Sequence, residues 1–276
     1  MDIEDVSSWP AMQREAEGQD ARKTWLAPSP AAPHDEWWLW KPSLPTKGSA
    51  ERRLTHIAEY ATAQLARIMG LPVAECRLAT RDGEIGILSH NFCPPPFSLT
   101  HGAALLPQRK HQRLRDIEEA LTAVAAPVSC PGLSAFDVFA GYLVLDAWVA
   151  NTDRHERNWA VLEDLDGAHV LAPTFDHGSA LGSGLTDARR ESRSIPDFCS
   201  GGKATRYEDA GSLLDLAQSA LERCDSLPWA ERVASTRREE WQAILDSSEG
   251  LSQVARTFID NVLATNQERV SELCRP

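Results

Sequence analysis

The alternation of apolar and polar residues in the first third of the chain predicts short strands and one helix. The aromatic run from Trp37 to Lys41 is typical of a short strand. Over residues 51–70, apolar side chains recur at the i, i+3, i+4 and i+7 spacing of a helix with one buried face. Residues 73–79 and 84–90 are also strand-like. The Asp82-Gly83 pair between them favours a hairpin turn, because glycine accepts a positive φ.

Helical periodicity dominates the rest of the chain. Residues 134–150 predict a strongly apolar helix with Ser134 as its N-cap and Asp137 at the capping-box position. A polar loop follows, and residues 159–172 then read as strand, turn and strand. Other helices are predicted near residues 111–126, 211–224, 228–246 and 250–273. Strands with one helix first and mainly helices afterwards predict an α+β fold, and no linker separates independent domains.

Composition narrows the classes of protein that fit. The 276 residues are 42% hydrophobic and carry a net charge of −12, which argues against general binding to nucleic acid or to an anionic membrane. The longest apolar stretch contains Asp137 and Asp146, so a buried helix is predicted there and not a membrane span. Six widely spaced cysteines without a C-x-x-C pair make structural zinc improbable. Because the chain starts without an apolar signal segment, we expect a cytoplasmic location.

The residues that point to chemistry follow the apolar helix. Asp153 lies in the polar loop, and Asn158 comes five residues later. After the strand–turn–strand segment, Asp176 is followed closely by Gly178. Phosphoryl transfer from ATP needs one carboxylate to orient the attacking hydroxyl and oxygen ligands for Mg²⁺ between the phosphates. The pattern therefore indicates an ATP- and Mg²⁺-dependent phosphotransferase.

These motifs resemble known kinases. Asp153-x-x-x-x-Asn158 has the spacing of a protein-kinase catalytic loop, and Asp176-His177-Gly178 lies where such enzymes carry Asp-Phe-Gly. The Asp-Arg-His-x-x-Asn order is also similar to phosphoinositide kinases. The strongest resemblance is to bacterial HipA-type serine/threonine kinases, whose loop reads Asn-x-Asp-x-His-x-x-Asn, and it covers roughly residues 37–186. It implies a two-lobed protein-kinase-like fold, with a small β-rich N-lobe (residues 1–105) carrying one helix and a larger, mainly helical C-lobe (residues 106–276).

The resemblance also implies roles for individual residues. Asp153 would be the catalytic base, and Asn158 and Asp176 would bind Mg²⁺. His155 would take the place of a phosphate-facing lysine, or it would order the loop by a hydrogen bond to the Asp176 segment.

In the N-lobe, the resemblance implies that Lys41 contacts the ATP phosphates and pairs with a glutamate on the next helix. Glu59 is the expected partner, and Glu51 is a weaker candidate. The chain departs from the kinase pattern because residues 18–23 contain a single glycine. Arg22 or Lys23 would then supply positive charge where backbone amides usually contact the phosphates.

Several functions stay open at this level. The favoured one is phosphorylation of a serine or threonine in a protein substrate, including the enzyme itself. A kinase acting on a small molecule, lipid or natural-product intermediate is an alternative. So is a nucleotide-binding pseudokinase or regulator in a toxin–antitoxin pair with a helix-turn-helix partner. The cluster Arg189, Arg190 and Arg193 is compatible with binding a phosphorylated side chain or with an ordinary solvated loop.

Overall fold

A computed structural model describes residues 3–14, 23–208, 211–224, 228–248 and 250–274. The strands are β1 (Glu4–Asp5), β2 (Ala11–Arg14), β3 (Thr24–Leu26), β4 (Trp38–Pro42), β5 (Cys76–Arg81), β6 (Glu84–His90), β7 (Ser98–His101), β8 (Ala160–Glu163) and β9 (His169–Leu171). The helices are α1 (Thr55–Ile68), α2 (Gly102–Leu105), α3 (Leu114–Leu121), α4 (Ala135–Val149), α5 (Asp187–Glu191), α6 (Ile195–Ser200), α7 (Leu213–Leu221), α8 (Pro228–Ser235), α9 (Arg238–Asp246) and α10 (Gln253–Ser271).

A six-stranded sheet in the order β1-β5-β6-β4-β3-β2 forms the N-terminal part. The predicted hairpin between β5 and β6 is present, and Asp82 and Gly83 have φ values of 51° and 77°. β4 pairs antiparallel with β6, which places Lys41 opposite Ile87 near the middle of the sheet. A second sheet, β7-β8-β9, contains the two strands predicted within residues 159–172.

Helix α1 packs against β5 and β6 and begins at Thr55, four residues later than predicted. The preceding residues are bound to the loop after β4 instead. The Arg53 amide donates to the Leu44 carbonyl at 2.7 Å, and the Arg53 carbonyl accepts from the Ser43 hydroxyl at 2.6 Å. These bonds replace helical ones, so the amphipathic pattern extends beyond the helix itself.

Helix α4 is the centre of the C-terminal part, and each of its residues is buried. Both hydrogen bonds of the predicted capping box are present between Ser134 and Asp137. The helix ends at Ala150, which has a left-handed φ of 54°. Because α7, α8 and α10 pack around it, α4 has no solvent-facing stripe and reads as apolar throughout.

The single helix predicted over residues 228–246 is wrong, because the chain breaks there into α8 and α9. The Thr236 hydroxyl donates to the Arg232 carbonyl at 2.8 Å. The Gln267 side chain of α10 donates to the carbonyls of Val233 and Thr236 at 2.8 and 2.6 Å. The last carbonyls of α8 are thus satisfied from outside, and the helix need not continue.

Two short helices, α5 and α6, occupy a segment that the apolar pattern left as loop. Thr186 and Ser194 cap them through their hydroxyl groups. Over the described part of the chain, no helix is both long enough and apolar enough to cross a membrane.

A buried histidine in α1 gives the fold a testable pH dependence. Burial, assisted by the positive charge of Arg52, lowers the pKa of His56 to about 4 from an ordinary value of 6.5. The unfolded chain binds a proton between these values that the folded chain does not, so stability declines as pH falls from about 6.5 towards 4. The contribution is at most about 1.4 kcal/mol per pH unit. In His56→Asn, the free energy of unfolding from denaturant titrations should depend less steeply on pH in this window; equal slopes would contradict the assignment.

Candidate active site

A cleft of about 170 Å³ lies between the six-stranded sheet, α1 and the loops that follow α4 and β9. Larger cavities of about 360 and 300 Å³ lie elsewhere and contain none of the predicted catalytic residues. The walls of the cleft include Lys23, Lys41, Arg53, Thr55, Glu59, Asp153, Asp176 and Gly178. The cleft therefore brings together residues that the sequence predicted in the N-terminal and C-terminal parts of the chain: Lys23, Lys41, Glu59, Asp153 and Asp176.

Lys41 joins three elements at the floor of the cleft. Its Nζ donates to Glu59 Oε1 at 2.7 Å and to Asp176 Oδ1 at 3.1 Å. Lys41 comes from β4, Glu59 from α1 and Asp176 from the loop after β9. The Lys41–Glu59 pair is as the sequence predicted it.

The charges of these three groups depend on one another. Burial works against the ammonium form of Lys41, but the Asp176 and Glu59 carboxylates outweigh it and raise the pKa of Lys41. Lys41 in turn holds the pKa of Asp176 well below its usual range, against the effect of burial. Burial raises the pKa of Glu59, and Lys41 opposes that rise. A protonated Lys41 beside an ionised Asp176 is therefore the stable arrangement.

The alternative partner Glu51 lies elsewhere. Its Oε2 accepts a hydrogen bond from the Asp187 amide at 2.9 Å, at the start of α5. Glu51 therefore ties the loop before α1 to the segment that follows Asp176.

The loop that carries Asp153 is folded around a buried ion pair. Arg154 and Asp146 are both almost fully buried, and two nitrogens of the Arg154 guanidinium donate to the Asp146 carboxylate. Arg154 also donates to the Asn158 carbonyl at 3.0 Å, and the Asn151 side chain donates to Asp146 at 2.8 Å. Sequence reasoning missed this role. Its signal was Asp146, an acid inside an otherwise apolar helix, shortly before an arginine.

Asn158 and His155 shape this loop from within. The Asn158 amide group donates to the Asp153 carbonyl at 2.8 Å, and His155 Nδ1 accepts from the Arg157 amide at 3.1 Å. Among the described residues, none donates a hydrogen bond to the amide oxygen of Asn158. Neither Asn158 nor His155 is among the residues that line the cleft, whereas Asp153 is.

The segment after β9 turns at Asp176 itself, not at the glycine two residues later. Asp176 has a left-handed φ of 60°, and Gly178 does not have a positive φ. His177 points away into the core, where its Nε2 lies 3.2 Å from the Thr174 hydroxyl. Burial keeps its pKa well below the ordinary value, so His177 is a neutral core residue.

Two further cations line the cleft. Lys23 is close enough to lower the pKa of both Asp176 and Glu59. Its neighbours in the segment 18–23, including Arg22, lie outside the described residues. Arg53 was not predicted; its Nε is buried and forms no hydrogen bond with any residue that the structure describes. The sequence had placed Arg53 inside the helix predicted over residues 51–70, whereas α1 begins at Thr55.

The arginine cluster after Asp176 divides into different environments. Arg190 is buried and bonds to the Asp187 carboxylate at 2.8 Å and to the Gly182 carbonyl at 3.2 Å. Arg193 is exposed and lies over the Phe198 ring at 5.8 Å. At least Arg190 is therefore a structural residue in this conformation.

The donor groups suit magnesium better than a transition metal. No set of three or more His, Cys, Asp or Glu side chains in the described segments is arranged to hold a metal ion. Magnesium is commonly bound by one or two carboxylates together with phosphates and water. The Asp176 carboxylate lines the cleft and is compatible with that mode of binding, whereas Asn158 is not among the residues that line it.

Comparisons with known proteins identify the family and the fold of the chain. A family model described as the HipA-like C-terminal domain matches residues 19–241. The crystal structure of the Helicobacter pylori proinflammatory kinase CtkA superposes with a TM-score of 0.74 at 18% identity, covering 99% of this chain and 96% of that one. Shewanella oneidensis HipA, solved in a toxin–antitoxin complex with HipB and operator DNA, gives 0.57 at 10% identity, covering 98% and 66%. No curated protein sequence matches. The two-lobed α+β kinase-like fold is thereby confirmed.

The buried network around Lys41 predicts a coupled effect on stability. Lys41→Met would leave Glu59 buried without its cation, and breaking such a pair typically costs about 3–5 kcal/mol at neutral pH. The loss should be smaller at pH 5. Burial keeps the Glu59 pKa raised, so the folded variant retains a proton that the unfolded chain releases as pH rises.

Adding Glu59→Gln to Lys41→Met should restore part of the stability, because the amide carries no charge. Denaturant titrations of the wild type, the two single variants and the double variant measure the coupling. A double variant no more stable than Lys41→Met would contradict it.

Proposed function

The chain belongs to the HipA-like C-terminal domain family, and on that premise we propose that it is a kinase that transfers the γ-phosphoryl group of Mg²⁺-bound ATP to a serine or threonine of a protein. The observation that carries the proposal is the ion network at the floor of the cleft. Carboxylate oxygens of Glu59 and Asp176 both lie within 3.1 Å of Lys41 Nζ. Asp153 lines the same cleft. Phosphoryl transfer requires, among other groups, a cation that binds the phosphates and a carboxylate that orients the acceptor hydroxyl.

Asp153 has the role of orienting the acceptor hydroxyl and accepting its proton. Its carboxylate is 39% exposed, so an incoming hydroxyl can reach it from the cleft. Its loop is fixed from below by the buried Arg154–Asp146 pair. A carboxylate held by a rigid loop loses little entropy when it aligns a reacting group.

Lys41 contacts the phosphates of ATP, with Glu59 holding its ammonium group in place. Asp176 and Asn158 supply the protein oxygens for magnesium, which when bound neutralises phosphate charge during transfer. His155 orders the catalytic loop through the hydrogen bond that its Nδ1 accepts from the Arg157 amide, whereas the expected bond to the Asp176 segment is absent among the described residues. These assignments rest on the sequence motifs and on the positions of Lys41, Glu59 and Asp176 in the cleft.

In other kinases, the backbone amides of a glycine-rich loop contact the phosphates. Here Lys23 and Arg53 provide positive charge in their place. Both line the cleft beside Lys41. The Arg53 Nε, which has no partner within the described segments, is suited to an anionic ligand because guanidinium binds phosphate oxygens strongly.

The similar solved structures suggest a partner protein for this chain. The Shewanella HipA structure contains HipB and operator DNA, and we propose a comparable helix-turn-helix partner for this chain. A cytoplasmic location fits such a partner. The division into an N-lobe over residues 1–105 and a C-lobe over residues 106–276 stays a prediction.

Asp153→Asn tests the catalytic proposal. Removal of a general base lowers the rate of transfer by about a hundredfold or more, whereas ATP binding should be nearly unchanged. Transfer of label from γ-labelled ATP to protein acceptors and calorimetric ATP binding measure the two effects. Asp166→Asn is the matched control, because Asp166 lies on the exposed β8–β9 turn. Transfer by Asp153→Asn at the wild-type rate would refute the role. ATP binding by a wild type that transfers no phosphate would favour the regulator alternative.

Arg53→Ala tests whether side-chain cations bind the phosphates. It should weaken binding of ATP by roughly tenfold, the effect of losing one charged hydrogen bond, without changing binding of adenosine. The neighbouring Arg52→Ala is the control, because Arg52 pairs with Glu84 outside the cleft. Equal loss of ATP and adenosine binding would indicate structural damage, and no loss would exclude Arg53 from the phosphate site.

A further inference from the structure

Four exposed cations lie on the Asp153 loop and on the segments bonded to it, in a protein whose net charge is −12. We call the exposed residues Lys110, Arg157, Lys203 and Arg206 the basic rim. Within the described part of the chain, Lys110, Arg157 and Lys203 form no ion pair with an acidic side chain. Their charges are therefore available to a ligand, unlike most arginines elsewhere on this surface.

Backbone pairing brings the three segments of the basic rim together. The Gly102 and Ala103 amides donate to the carbonyls of Trp159 and Glu156 at 3.0 and 2.8 Å, which joins the segment before α3 to the Asp153 loop. The Gln112 amide donates to the Arg206 carbonyl at 2.8 Å, which adds the loop after α6.

The Gln112 side chain locks this arrangement. It is buried, its Oε1 accepts from Trp159 Nε1 at 3.0 Å, and its Nε2 donates to the Arg154 carbonyl at 3.1 Å. One side chain thus holds the Asp153 loop, while its backbone holds the Arg206 loop. The backbone of Arg206 is consequently held next to the catalytic loop.

Arg206 already binds a carboxylate at this position. Its Nη2 donates to Asp153 Oδ1 at 2.9 Å, and both side chains remain partly exposed. A guanidinium has five N–H donors, so Arg206 can bind an incoming carboxylate before it releases Asp153. A carboxylate of an incoming molecule can bind the same group next to the acceptor hydroxyl.

We propose that the basic rim is the acceptor-binding surface, and that the acceptor is a protein segment with acidic side chains flanking the target serine or threonine. The inference rests on the proposed kinase function and names its substrate class. When an acidic side chain of the acceptor takes over Arg206, Oδ1 of Asp153 is released to the hydroxyl. Acceptor recognition and activation of the carboxylate are thereby coupled.

The charge distribution favours a short acidic peptide over nucleic acid. A long polyanion would meet the field of the whole protein, which is strongly negative. Nucleic-acid binding depends on many phosphate contacts, whereas the basic rim offers four cations beside Glu156 and Glu208. A few charge-assisted hydrogen bonds are enough to position a peptide with two or three acids.

Fluorescence anisotropy with two labelled peptides tests the proposal. Both carry one central serine, flanked in one by glutamates and in the other by lysines. The wild type should prefer the acidic peptide, and the preference should shrink when NaCl rises from about 50 to about 500 mM. Arg206→Glu should weaken acidic-peptide binding by roughly tenfold and improve binding of the lysine peptide. Such an inversion of preference cannot come from unfolding.

Arg237→Glu at the N-cap of α9 is the matched control, since Arg237 is exposed and its ion-pair partner is Glu240 of that helix. It should bind both peptides like the wild type. Equal binding of the two peptides by the wild type, or an unchanged preference in Arg206→Glu, would overturn the proposal. Tighter binding of an RNA oligonucleotide than of the acidic peptide would also overturn it. Because the assay needs no ATP, its failure leaves the kinase proposal standing, and absent phosphoryl transfer leaves the peptide result intact.

Discussion

The ion network of Lys41 with Glu59 and Asp176 is the interaction on which the candidate site depends. It binds a strand, a helix and a loop that are up to 135 residues apart in the chain. Two acids so close together in a largely buried place repel each other unless a cation lies between them. The position of α1 against the sheet is therefore linked to the position of the segment after β9. Any ligand that competes for Lys41 acts on all three elements.

The second constraint is the buried Arg154–Asp146 pair below the Asp153 loop. Charges in the core of an apolar helix are costly unless their hydrogen bonds are satisfied, and here Asn151 and the Asn158 carbonyl complete the set. Loops usually carry function because they are exposed, yet mobile loops position reacting groups poorly. This protein keeps Asp153 at the surface and anchors its neighbour in the core.

Charge is distributed unevenly over this acidic protein. Cations gather at two places near Asp153: inside the cleft, where Lys23 and Arg53 accompany Lys41, and on the basic rim around Arg206. The first group faces the phosphates in the proposed function, and the second faces the acceptor. The net charge of −12 disfavours unspecific polyanions without weakening short-range contacts. Short-range ion pairs therefore select the ligand, and the net charge repels long polyanions.

The sequence by itself determined the elements and the chemical residues. Local periodicity, caps and turn glycines act over a few residues, so α4 with its capping box and the Asp82-Gly83 hairpin were predictable. The spacing of Asp153, Asn158 and Asp176 likewise indicated the family, which the comparison confirmed. Only the tertiary structure decided the break at Thr236, the cleft position of Arg53 and the contact of Arg206 with Asp153. Those features depend on partners far along the chain, and no local pattern encodes such contacts.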